Sequence, residues 1–172
     1  YKDSETQMIP EINELIEWLP KNIPSDQETS IVHGDFRLDN MIFDPITHEV
    51  KAILDWELST LGNPIADFTY HMMSWRLPAG AKGLGMMGSD LKSLNIPSEN
   101  EYAELYYKKT GREKIDNWDF YMAYNIFRLA GIAQGIVGRV RDGTASSSEA
   151  KNYEAFVPIL GKLGWSIVEG IK

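Results

Sequence analysis

The residues best suited to chemistry lie in Ile31-Val32-His33-Gly34-Asp35-Phe36-Arg37-Leu38-Asp39-Asn40 and, further on, in Ile53-Leu54-Asp55-Trp56-Glu57. If a strand end, a tight loop and a returning strand carry them, Asp35, Asn40 and Asp55 meet on one rim. Two acids and an amide of that kind offer hard oxygen ligands, which suit Mg²⁺ shared with substrate phosphates. With Asn40 and Asp55 on the metal, Asp35 is left to accept the proton of an attacking hydroxyl and to orient that oxygen. The competing reading makes all three turn and cap residues, since Asp and Asn are common loop formers. His33 is expected to be a hydrogen-bonded structural histidine, because a carboxylate two residues on already fills the role of base. Arg37 and Asp39 sit inside the same loop, where Arg37 touches phosphate or acceptor or is simply solvated. His48 and His71 have no second histidine at ligand spacing, which argues against zinc.

The elements that must position these residues are legible as patterns. Met8, Ile12, Leu15, Ile16 and Leu19 recur at helical spacing, which predicts an amphipathic helix from Ser4 to Leu19, ended near Pro20. Ser30 to His33 reads as a short buried strand. Asn40 to Phe43 and Val50 to Leu54 read as a hairpin around the turn-forming Asp44 to Glu49. Asn63-Pro64 fits a helix start, with the helix running to about Trp75. Leu77 to Pro97 reads as a long loop of the kind found near ligands. Three further helices are predicted over Ser98 to Thr110, Asn117 to Val140 and Ser147 to Ile171, with Gly131, Gly135 and Gly138 thinning one side of the middle one for close packing.

Composition narrows the function classes. The chain has 172 residues, 17 Lys and Arg against 25 Asp and Glu, and a formal net charge of −8. That balance argues against non-specific nucleic-acid binding, which needs a basic face. The most apolar stretch, Phe127 to Val140, is broken by Arg128, Gln134 and Arg139 and is no membrane span. The absence of cysteine removes disulfides, thiolate zinc sites and cysteine nucleophiles, and a cytoplasmic location is expected. Gly83-Leu84-Gly85-Met86-Met87-Gly88 satisfies G-x-G-x-x-G, but it follows no strand and opens no clear helix, so it is read as a decoy.

The run His33 to Asn40, with Leu54-Asp55-Trp56-Glu57-Leu58-Ser59-Thr60-Leu61-Gly62-Asn63-Pro64 and Asp67, resembles the aminoglycoside phosphotransferase and choline kinase family. Its catalytic loop reads H-G-D-x-x-x-x-N and its second metal acid lies in an I-D-[WF]-E stretch. The likeness is greatest to the phosphotransferase domains related to those fused to acyl-CoA dehydrogenases. It implies an α+β fold class: a mainly helical carboxy-terminal lobe of a protein-kinase-like fold, with a short β-hairpin carrying the catalytic and metal loops. It also implies Asp35 as catalytic base, Asn40 and Asp55 as Mg²⁺ ligands, His33 as a loop-shaping residue, and Asp67 as a brace accepting backbone N–H bonds. Glu57 is placed near the metal or the substrate. Arg128, which needs an anionic partner in its apolar surroundings, joins Trp75 and Tyr124 as candidate acceptor-binding residues.

The expected activity is transfer of the γ-phosphoryl group of ATP, with Mg²⁺, to the hydroxyl of a small molecule. A hydroxyacyl-CoA-type metabolite is favoured over an aminoglycoside or a choline-like amine. The family's upstream nucleotide-binding lobe, with its phosphate-covering loop and lysine, is not recognisable before Tyr1. The whole chain, residues 1–172, therefore reads as a carboxy-terminal lobe that partners an upstream lobe, a nucleotide and an alcohol acceptor. The alternatives are a non-catalytic fragment or docking lobe, and a phosphohydrolase that uses the same acids with water as acceptor. Oligomeric state is not readable from the sequence.

Overall fold

The computed structural model describes residues 1–25, 28–80, 85–145 and 148–171. They form two compact units, one of Tyr1–Ser25 with Asp119–Lys172 and the other of Asp26–Trp118. Helix predominates and sheet is sparse, as the expected α+β class requires.

The first unit is helical. Helix α1 (Pro10–Trp18) buries Ile12 and Leu15 completely. It begins six residues later than the apolar spacing predicts, because Pro10 occupies the first helical turn and holds Ile9 in extended backbone. Met8 consequently lies outside the helix and is exposed. A Cβ on Gly161 would stand 3.0 Å from Ile12, and one on Gly164 would stand 2.9 Å from Leu15. These two glycines of α5 (Phe156–Ile171) are therefore what lets α1 seat closely.

Helix α4 (Trp118–Arg141) contributes Met122, Ala123, Ile126, Ala130 and Ala133 to the core. Of its three glycines, Gly138 has a close neighbour, Ser4, whereas a Cβ on Gly131 would meet nothing. The packing role expected of Gly131 and Gly135 is thus corrected: it falls to Gly138, Gly161 and Gly164. Fully buried Gln134 on α4 donates to the Ser4 carbonyl at 2.6 Å and to Thr6 Oγ1 at 3.1 Å, which ties down the chain start. The last predicted helix is also corrected, since residues Ser148–Tyr153 form a 3₁₀ segment before α5, while Ser147 lies outside the described residues.

The second unit holds two small antiparallel sheets and two helices. Strand β1 (Ser30–Val32) pairs with β4 (Thr60–Gly62), and β2 (Met41–Phe43) pairs with β3 (Val50–Ile53). The sequence reading predicted the second pairing and missed β4, a three-residue strand with too little length for a periodic signal. Strand β1 was expected to be buried, but Ile31 faces outward and Val32 inward, as a two-stranded ribbon covered on one side requires. The β2–β3 turn is closed by Asp44, whose Oδ1 accepts from the backbone of Ile46 and Thr47 at 2.9 Å each.

Helix α2 (Pro64–Met72) is capped by Asn63, whose side chain accepts from Ile65 N, and its last turn tightens to 3₁₀ over Met73–Trp75. Helix α3 (Glu99–Thr110) opens on a Ser98–Glu101 capping box and closes on Gly111 at φ 68°. The two helices meet through Phe68 and Tyr106, stacked with ring centroids 3.7 Å apart. A bidentate Arg76–Glu99 ion pair, joined by Trp118 Nε1 at 2.8 Å from Glu99, fixes the start of α3.

Candidate active site

The loop after β1 is shaped by hydrogen bonds that leave its residues little freedom. Asp67, on the first turn of α2, accepts from His33 N at 2.7 Å and from Gly34 N at 2.9 Å, one with each carboxylate oxygen. Gly34 adopts φ +83°, and a Cβ there would sit 2.5 Å from the Leu58 carbonyl oxygen, so no other residue fits without moving backbone. The buried His33 ring bridges the two chemical stretches. Its Nε2 lies 2.7 Å from the Leu54 carbonyl oxygen, and its Nδ1 accepts from Asp35 N at 3.2 Å. A carbonyl accepts and an amide donates, so the proton of this ring is on Nε2. Trp56 packs on the same ring at 4.7 Å. His33 is thereby a spacer that sets Asp35 against the strand preceding Asp55.

Asn40 is buried, and its side-chain nitrogen donates to Asp35 twice, to the carbonyl at 2.9 Å and to carboxylate Oδ2 at 3.0 Å. Both amide protons are spent in this way, which leaves Oδ1 as the atom Asn40 offers to a ligand. Leu54 N donates to the Asn40 carbonyl at 2.8 Å, continuing the β2–β3 register in which Met41 faces Ile53. The register therefore brings Asn40 opposite Leu54 and one residue from Asp55.

Asp55 itself has left-handed backbone, φ 61° and ψ 48°, and its carboxylate has no hydrogen bond or ion pair among the described residues. A non-glycine residue in that region costs on the order of 1–3 kcal/mol and persists where the surroundings enforce it, commonly at functional positions. An unpaired, exposed carboxylate beside an amide oxygen is a partial cation shell. Among the described residues no group of three or more His, Asp or Glu side chains is placed to hold a metal. The donor set fits Mg²⁺, which takes one or two protein ligands and completes its shell from phosphate and water.

Arg37 runs along the loop, with Nη2 on Asp39 at 2.8 Å and Nε 3.6 Å from Asp35 Oδ1. Its Nε is buried without a hydrogen bond among the described residues and faces the Asp35 carboxylate, beside which the guanidinium places a positive charge. Glu57 lies exposed on a 3₁₀ turn, Trp56–Leu58, with no hydrogen bond or ion pair among the described residues.

Beside the loop is a cavity of about 270 Å³, walled by Arg37, Asp39, His71, Trp75, Met86 and Tyr102 among others. Of the three residues expected at an acceptor, Trp75 lines this cavity and donates through Nε1 to the Pro97 carbonyl at 2.8 Å. Tyr124 and Arg128 lie on α4 in the other unit, where Tyr124 is exposed and Arg128 half-buried. The loop from Leu77 lines the cavity through Met86, Ile96 and Pro97, and it is laced back by Met86 N to Ser74 O at 2.8 Å. Gly85 is obligatory there, since a Cβ would collide with the Pro78 carbonyl. Gly83 and Leu84 of the glycine-rich motif lie outside the described residues. A larger open depression over α3, lined by Leu91, Leu105 and Lys108, holds none of the chemical residues.

Sequence reasoning missed Leu54, Phe36, His71 and Tyr102. The Leu54 contribution is a backbone carbonyl, which leaves no side-chain signal. The other three meet only in the fold, Phe36 lying 5.8 Å from His71 and His71 5.6 Å from Tyr102.

A model of the phosphotransferase enzyme family matches residues 1–105. Mouse acyl-CoA dehydrogenase family member 10 is 45% identical over 166 residues, covering 96% of this chain and 16% of that protein. Human acyl-CoA dehydrogenase family member 11 is 38% identical over 166 residues, covering 95% of this chain and 21% of its own length. A crystal structure of a candidate aminoglycoside phosphotransferase from Ralstonia eutropha JMP134 superposes with a TM-score of 0.93 at 48% identity, covering 99% of this chain and 52% of that one. The chain thus spans about a fifth or less of these curated relatives and about half of the solved structure.

Proposed function

The chain belongs to the phosphotransferase enzyme family, and from that premise we propose that it carries the catalytic loop and metal rim of an ATP- and Mg²⁺-dependent small-molecule kinase. The observation that carries the proposal is the Asp35–Asn40 pair set by hairpin register beside an unpaired, strained Asp55. Asn40 Oδ1 and the Asp55 carboxylate would hold Mg²⁺, which supplies neutralisation of the charge on the transferring phosphate oxygens. Asp35 takes the proton of the acceptor hydroxyl as its oxygen bonds to the γ-phosphorus and the bridging P–O bond to ADP breaks. Asn40 steadies Asp35 through Oδ2, Asp67 steadies the backbone beneath it, and Arg37 puts a positive charge beside Asp35. Little covalent work falls to the protein, so position and charge do most of the catalysis.

A nucleotide-covering lobe is part of the proposal. The two small sheets leave Ile31, Leu61, Ile42, Phe43 and Val50 exposed, and Trp56 on the 3₁₀ turn after β3 is exposed as well. Apolar surface in that amount marks an interface, and a lobe seated there would close the other half of the ATP site. For the acceptor, a hydroxyacyl thioester is favoured over an aminoglycoside or a choline-like amine. The acyl-CoA dehydrogenase relatives point that way, and so does a cavity with aromatic walls whose carboxylate, Asp39, is already paired to Arg37.

Calorimetric titration of the full-length protein with ATP tests the metal rim. Binding heat that requires Mg²⁺ and is lost in Asp55→Ala supports it, whereas equal Mg²⁺-dependent affinity in Asp55→Ala contradicts it.

A further inference from the structure

His71 is unexplained by the mechanism. It sits in the last turn of α2 with 7% of its surface exposed, yet neither ring nitrogen has a hydrogen-bond partner among the described residues. Its contacts are aromatic: Phe36 of the catalytic loop at 5.8 Å, Trp75 at 5.8 Å and Tyr102 at 5.6 Å. Neither ring nitrogen is among the fully enclosed side-chain atoms that lack a partner, and the ring lines the cavity next to the catalytic loop, so its polar edge is open to a ligand there. Of the polar groups around it, Arg37 Nη2 is held by Asp39 and Trp75 Nε1 by the Pro97 carbonyl. Burial also pushes the His71 ring below its ordinary value, so it meets a ligand as a neutral donor and acceptor.

The volume sets a second limit. About 270 Å³ lies just below the roughly 300–1,000 Å³ usual for drug-sized ligands, which favours a small acceptor group over a multi-ring polycation. The wall chemistry asks instead for a short alkyl body with one uncharged polar group.

We propose that His71 is the specificity-determining residue of the acceptor site, donating one hydrogen bond to the carbonyl oxygen of a hydroxyacyl ester or thioester whose alkyl part packs on Trp75, Tyr102 and Ile96. Phe36 links this contact to the chemistry, since it touches the rings of both His33 and His71. The inference rests on the phosphotransferase reading in taking the cavity as the acceptor's.

The test is a ligand-observed NMR titration of the full-length protein with the methyl esters of 3-hydroxybutanoate and 3-hydroxyhexanoate, with kanamycin as competitor. Both esters should bind, the longer about tenfold more tightly for its two extra buried methylenes. His71→Phe, which keeps the ring packing and loses the hydrogen bond, should weaken both by about tenfold. His71→Gln should recover most of that loss, and kanamycin should displace neither. Ester binding should also shift the His71 imidazole nitrogen resonances of the wild-type protein, a readout that survives if a variant fails to fold. Unchanged affinity in His71→Phe, displacement by kanamycin, an unmoved His71 signal, or no ester binding to the wild type would each overturn the inference. Phosphoryl transfer by Asp35→Asn, assayed separately, decides the phosphotransferase reading, so the two can fail independently.

Discussion

The α1–α4–α5 unit and the strand-bearing unit divide the tasks of the molecule differently. The first buries aliphatic residues against glycines, and of its two deeply buried amides, Asn125 and Gln134, the second serves to tie down the chain start. The second keeps His33, Asn40 and His71 buried, holds Asp55 in left-handed backbone and leaves the apolar residues of its strands exposed. Ordinary packing rules explain the aliphatic contacts of the first. The second breaks several of those rules between Ile31 and His71, and the breaks coincide with the residues that could bind metal, phosphate and acceptor. Rule-breaking of that kind is expected where a fold gives up stability for a site.

The contrast breaks or sharpens under substitution. The largest effect is expected at Asp35: Asp35→Asn should lower kcat by about 10²–10⁴-fold with little change in thermal midpoint, measured by turnover and calorimetric melting of the same preparation. Asp67→Asn comes next. It removes a charged acceptor from two backbone N–H groups and should cost about 1–3 kcal/mol of stability together with about 10²-fold in rate, because the loop shifts beneath Asp35.

Gly164→Ala should do the reverse. A methyl group 2.9 Å from Leu15 should cost about 1–3 kcal/mol in denaturant unfolding while kcat per folded molecule stays unchanged. Loss of turnover in that variant beyond its unfolded fraction would erase the division between the units.

Asp55→Gly should separate stability from function within one residue. Glycine relieves the left-handed strain and should raise stability by about 1 kcal/mol, while Mg²⁺-dependent activity is lost.

The smallest effect is one of pH. Burial lowers the His71 pKa in the folded chain, so below about 6.5 the unfolded chain takes up a proton that the folded chain refuses. Stability should therefore fall as pH drops through 6.5, and stop falling once the folded ring also titrates. Of the groups facing His71, Tyr102 titrates far above this range and Phe36 and Trp75 carry no charge. A pH series of melting curves should show a shallower slope below 6.5 for His71→Phe than for the wild type.

Much of the site was legible because its chemistry is local in sequence. His33 to Asn40 is one loop, and Asp55 ends the strand that pairs with the residues after Asn40, so spacing and hairpin pattern suffice. Helices capped by strong signals, Asn63-Pro64 and Ser98 with Glu101, were readable for the same reason. The rest depends on distance in sequence. β4 is visible only through its partner β1, 28 residues or more away in register. The cavity beside the loop joins Arg37, His71, Trp75 and Tyr102 from the loop, α2, the turn after it and α3, and no periodicity links them. The start of α1 was misplaced because the apolar spacing continues through Met8 while Pro10 sets the actual boundary.

The central claim is that Asp35, Asn40 and Asp55 form one Mg²⁺-dependent phosphoryl-transfer site. Its most direct test follows the phosphorus of ATP by ³¹P NMR in the full-length protein with an excess of a hydroxyacyl ester, for the wild type, Asp35→Asn and Asp55→Ala. The account predicts a new phosphate-ester signal that requires Mg²⁺ and vanishes in both variants. Inorganic phosphate released at the same rate with and without the alcohol, or ester formation undiminished in Asp35→Asn, would contradict it.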